Sequence, residues 1–298
     1  MLESLTNSLL GGLFSGIGNS IVKTIHSKFS GKRATTHPCM TSNELKSEKI
    51  KTKENASTRL KQCINDITNN NHKIDEIADF LGFLKASELE NRMNGIIEPE
   101  FSELDEISDK LGLSREWLKY GKGPRFHIDI NNLPYAIDYI ERTNQLSPTT
   151  IYFLKSKNPE CEAGILLKIN KIKYIAFPRT WHISSVVGST GSQQILSFIE
   201  YVEKVTDIIE RPCNSFIGNV LKAEHFNDIF TGKVYPDKYL SSFNTPWWED
   251  LCDIYHKYPI SKNYEKRYGH EFIQAQEIAR DVDRKRKEQN IPKEHSPH

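Results

Sequence analysis

Between Leu60 and Leu118 the apolar positions fall three and four apart in five short runs, each closed by a polar or glycine break. That spacing predicts five short helices around one small core. Leu60, Ile64 and Ile67 mark the first face. Ile74, Ile77, Ala78 and Leu81 mark the second, and Gly82 follows where a left-handed residue would end the helix. Leu89 and Met93 point inward before the break at Asn94-Gly95. Phe101, Leu104, Ile107 and Leu111 repeat the pattern up to Gly112, and Ser114 is placed to cap a last helix through Trp117 and Leu118.

Upstream, Leu10, Phe14, Ile17, Ile21 and Ile25 share one face of an amphipathic helix within residues 1–29, in which Gly12 and Gly16 would let a partner helix approach closely. The expected role is docking or self-association, with a membrane-surface helix or a dispensable extension ahead of Met40 as alternatives. Residues 30–56 are polar and basic and predict a flexible linker. Downstream the period changes. A helix at "LPYAIDYIERTN" leads to alternation in "TIYFLKS", "EAGILLKI" and "KYIAFP", which predicts three strands joined as antiparallel hairpins. Helices are expected at about 192–209, 213–231, 246–257 and 266–286, before a disordered charged tail over 287–298.

The expected fold is mainly α with a small antiparallel sheet: an all-α domain over 57–126, then an α+β domain over 130–286 that senses a ligand or oligomerises. With 298 residues and 37% apolar content the chain is long enough for two domains and tails. Five scattered cysteines, with no Cys-x-x-Cys and no zinc spacing, predict a reducing compartment and no structural metal. No run approaches the roughly 18 apolar residues of a membrane span, and no secretory leader is visible, so cytoplasmic residence is expected.

The order Arg59-Leu60, Ile77-Ala78, Leu81-Gly82, Asn94-Gly95, Pro99, Ile107, Leu111-Gly112 and Trp117-Leu118, closed by "LGLSREWLKYGKGPRF", resembles the helix-turn-helix family of lambda repressor and Cro. The resemblance covers about 70 residues. It implies a positioning helix at 73–82 and a recognition helix at 86–94 that presents Lys85, Ser87, Glu88, Asn91 and Arg92 to the major groove of double-stranded DNA, with Lys73 nearby. Asn91 would pair with adenine and Arg92 with guanine. It also implies a dimer or larger homo-oligomer, since such domains commonly read two half-sites.

Charge qualifies that picture. Net charge is +1 overall, but residues 57–126 hold ten basic and thirteen acidic side chains, while residues 23–54 hold eight basic and three acidic. Phosphate contact would therefore fall to the arm, through Lys51 and Lys53. The alternative is an adaptor or phage-defence component whose helices meet protein rather than DNA. A third reading places an enzyme within 130–285.

The remaining candidates are weaker. Gly188, Ser189, Thr190, Gly191 and Ser192 make a small-residue loop before a helix, an anion site in principle but more simply a capped turn. Trp181-His182 and Trp247-Trp248 read as core. No catalytic set has a convincing spacing, since Glu160 and Glu162 do not stand in nuclease geometry with Lys168, and neither His182 with Ser184 nor His225 with Asp228 makes a triad or metal pattern. Neither enzymatic activity nor a cofactor is expected.

Overall fold

The computed structural model describes residues 56–290 apart from 71, 130–135, 159–160, 178–180, 186–188, 208–211, 214, 255, 257 and 259–261. The expected helix over 1–29, nearly all of the linker and the end of the tail lie outside these residues. The described chain belongs to one compact unit, 48–298.

Five helices come first: α1 over 56–68, α2 (Ile74–Leu81), α3 (Ala86–Met93), α4 (Phe101–Leu111) and α5 (Arg115–Tyr120). Their inward residues are those of the apolar periodicity, from Leu60 and Ile64 to Leu118, nearly all of them inaccessible, with Ile74 half-buried and Phe101 exposed as the departures. Gly82 and Gly112 end α2 and α4 in the left-handed conformation. The Ser114 hydroxyl accepts from Trp117 N–H at 3.2 Å and so caps α5. Arg59 reaches from α1 to the far end of α5, donating to the carbonyls of Leu118 (2.9 Å) and Lys119 (2.6 Å), which α5 itself leaves without partners.

A mixed five-stranded sheet follows α6 (Ala136–Leu146). It comprises β1 (Thr150–Ser156), β2 (Glu162–Lys168), β3 (Tyr174–Ala176), β4 (Trp181–His182) and β5 (Phe216–Leu221), in the order β3-β2-β1-β5, with β4 also on β2. The expectation of a purely antiparallel sheet is corrected at β5. Residues 213–231 were read as one helix, but 216–221 form a strand parallel to β1, and only 223–230 are helical. The local sequence "FIGNVL" suits either state. What decides it is the free edge of β1, sixty-five positions earlier in register (Ile151 with Phe216, Ser156 with Leu221).

Helices α7 (Ser189–Thr206), α8 (Ala223–Phe230), α9 (Trp247–Cys252), α10 (Lys262–Tyr268) and α11 (His270–Asn290) complete the chain. Helix α11 runs four residues into the segment expected to be tail. Alternation along the sheet sorts side chains to two faces. Tyr152, Leu154, Leu166, Tyr174 and Leu221 join a core with α1–α5 and α8. Ile151, Phe153, Ile165, Leu167 and Trp181 join a second core with α6, α7, α9 and α11. Both faces are covered, which is why β1 reads as a nearly continuous apolar run. The boundary expected between 126 and 130 therefore runs beside a shared core. There Arg125 and Phe126 N–H donate to Gly232 carbonyl at 2.8 and 2.9 Å, and Asp129 N–H to Ala176 carbonyl at 2.9 Å.

Candidate nucleic-acid interface

The α2–α3 pair is joined by the four residues Gly82 to Lys85. Gly82 N–H donates to Asp79 carbonyl and Phe83 N–H to Ala78 carbonyl, while Lys110 of α4 donates its Nζ to Leu81 carbonyl at 2.7 Å. The end of α2 is thus satisfied by its own turn and by a cation on another helix, favourable at a helix C-terminus. Ile77, Ala78, Leu81, Leu89 and Met93 bury the inner faces of the pair. The outer face is what remains for a partner.

Lys73 and Lys85 are exposed at the entries of α2 and α3; Ser87 is exposed, and Glu88 and Asn91 are half-buried. Arg92 is different. It forms an ion pair with Glu103 of α4, donates Nη1 to Glu88 carbonyl at 3.0 Å, and lies 4.9 Å from the centre of the Phe83 ring. These contacts hold α3 against the turn and against α4, so this side chain is occupied within the fold. The eleven-residue spacing from Arg92 to Glu103 crosses a loop, and no helical periodicity would have revealed it. Lys51 and Lys53 lie outside the described residues.

Charge and exposure on this face are uneven. From Lys73 to Glu100 there are three basic side chains, of which Arg92 is internally paired, and seven acidic ones. Of nine large apolar side chains exposed among the described residues, six fall here or beside it: Phe80, Leu84, Ile96, Ile97, Phe101 and Tyr120. Leu84, in the turn itself, is 91% exposed and Ile96 71%. Periodicity marks where apolar residues recur but does not flag a Leu or Ile in a turn as solvent-facing, so sequence reading missed this feature.

The second expected site does not take the form of a loop. Ser189, Thr190, Gly191 and Ser192 lie within the first turn of α7, and Gly188 is outside the described residues. Trp181, Trp247 and Trp248 are core residues: Trp247 stacks on Phe198 at 5.6 Å and donates Nε1 to Phe153 carbonyl at 3.1 Å. Among the described residues no group of three or more His, Cys, Asp or Glu is placed to hold a metal ion, and no helix is long and apolar enough to cross a membrane.

A polar cluster ties the α1–α2 turn to the sheet. Tyr174 donates to Asp237, which also lies 3.7 Å from His72 Nε2; Tyr235 donates to Ile172 carbonyl at 2.9 Å. Burial first, then the Asp237 carboxylate, pushes the phenols of Tyr174 and Tyr235 well above their ordinary value. No protein-family model, curated protein or solved structure matches the chain.

Proposed function

We propose that the chain is a DNA-binding regulator that reads duplex DNA through α3, with Lys85, Ser87 and Asn91 as the contacting side chains. The observation that carries this reading is the α2–α3 pair itself: two eight-residue helices, a glycine-started four-residue turn, and a polar outer face on the second helix. Lys85 and Ser87 are exposed at the first turn of α3, where helices of this type meet base edges. Arg92 acts in this reading by holding α3 in place. Phosphate contact would come from the basic residues 23–54. Two copies would raise an affinity that one acidic unit keeps low.

A second reading, in which the same face docks a protein, is favoured by the acidic excess and by Leu84, Ile96 and Ile97 standing in solvent. Its partner would be a basic, amphipathic segment. Selection from random duplex DNA, followed by titration at several salt concentrations, separates the two. Enrichment of a two-fold symmetric site, with affinity falling steeply as salt rises, supports the regulator. Absence of any enriched site at low salt overturns it.

A further inference from the structure

Lys155 is the last but one residue of β1, on the strand face that also carries Ile151 and Phe153, and it is 3% exposed. Its register partners on either side, Ala163 and Val220, bring no charge. Among the described residues its side chain meets no carboxylate within ion-pair distance. Its hydrogen-bond contact is the sulfur of Cys161, with Nζ to Sγ at 3.7 Å. A buried amine with a thiol as its partner is poorly compensated as a purely structural element, because burying an ammonium ordinarily demands a carboxylate or several strong acceptors.

Cys161 is held in place. Its φ of 48° lies in the left-handed region, unusual for a residue with a side chain, and its N–H donates to Asn158 carbonyl at 3.0 Å. Its own carbonyl accepts from Ile183 N–H at 3.0 Å. Asn158 donates Nδ2 to Glu162 Oε2 at 3.0 Å and accepts from Glu162 N–H at 3.3 Å, which closes the loop around the cysteine. The sulfur, at 6% residue exposure, is thereby presented to the amine.

We propose that Lys155 and Cys161 are a peroxide-sensitive pair that closes into a sulfur–nitrogen cross-link. In the first step the Cys161 sulfur attacks one oxygen of hydrogen peroxide, the O–O bond breaks, and sulfenic acid and water form. In the second the Lys155 nitrogen, as the free amine, attacks that sulfur. The S–O bond breaks, and the departing hydroxide takes a proton from nitrogen and leaves as a second water. One peroxide is reduced, the thiol sulfur is oxidised, and the two side chains together lose two hydrogens. The nitrogen and sulfur need only close from 3.7 Å, and trapping by the amine arrests oxidation before the irreversible sulfinic stage.

The test treats the full chain with hydrogen peroxide and maps tryptic peptides by mass spectrometry. The expected product joins the peptide ending at Lys157 to the peptide beginning at Asn158, two hydrogens below their summed mass, and a thiol reductant separates them. Lys155→Met, which replaces the amine with an apolar side chain of similar length, should instead let Cys161 proceed to sulfinic acid. Circular dichroism checks that this variant is folded. A joined mass that retains an oxygen, equal rates of sulfinic acid formation in the wild type and in Lys155→Met, or a Cys161 that stays unmodified overturns the proposal.

Discussion

Arg92 shows how a side chain suited to reading a base can be engaged by its own fold. Its pairing with Glu103, its bond to Glu88 carbonyl and its place over Phe83 connect α3 to α4 and to the turn. Arg92→Ala and Glu103→Ala should each lower stability, with a coupling of about 0.5–1 kcal/mol in a double-mutant cycle monitored by urea denaturation. Strictly additive losses would show that the pair contributes nothing. Under the regulator reading, Asn91→Ala should cost about 1–3 kcal/mol at one base position while Arg92→Ala leaves base preference unaltered, as binding to single-base site variants would reveal. The buried tyrosines respond to pH. Tyr174, Tyr201 and Tyr235 have phenols raised chiefly by burial, so the folded state resists their ionisation while the unfolded chain ionises near pH 10. Their contribution to stability is complete below about pH 10 and is lost as pH rises beyond it. Tyrosinate absorbance from these residues should therefore appear together with loss of the far-ultraviolet dichroism. Ionisation of all twelve tyrosines ahead of unfolding would contradict the burial argument.

At the scale of elements, the glycines after α2 and α4 carry different loads. Gly82 has φ of 91° and open space, its nearest neighbour being Lys110 Nζ at 3.6 Å from an added Cβ, so Gly82→Ala should cost about 1 kcal/mol. Gly112 has φ of 72°, and an added Cβ would stand 2.9 Å from Tyr174 carbonyl oxygen. Gly112→Ala should therefore cost more, about 2–3 kcal/mol, because it also separates the helices from β3. Denaturation midpoints in the reverse order would contradict this. Both glycines were legible from sequence as helix ends, as were Ser114 and the inward faces of α1–α5, because each depends on residues within a turn or two. The strands β1, β2 and β3 were legible for the same reason. Strand β5 was not, since its state is set by an edge far away in the chain, and neither was the two-residue β4, which exists through pairing with Glu162 and Ala163. The proposed contact face was only partly legible. Lys73, Lys85 and Ser87 stand at the surface as expected, whereas the engagement of Arg92 and the exposure of Leu84 depend on how helices meet across loops.

On the scale of the whole unit, one core runs from Leu60 and Ile64 of α1 to Tyr152 and Leu221 of the sheet, so the helices of 56–126 and the strands are expected to unfold together. Residues 48–298 should give a single thermal transition, with calorimetric and van't Hoff enthalpies equal. Two separable transitions would show that the helices fold independently of the sheet. The parallel pairing of β5 with β1 carries a further consequence, for the order in which the chain folds during synthesis. At about 5–20 residues per second the ribosome delivers β1 seconds before β5. Throughout that interval the edge of "TIYFLKS" has no partner, although the hairpin with β2 can already form. A nascent chain that stalls between 170 and 215 would present an unpaired, largely apolar strand edge, and that interval is where a chaperone would be most needed.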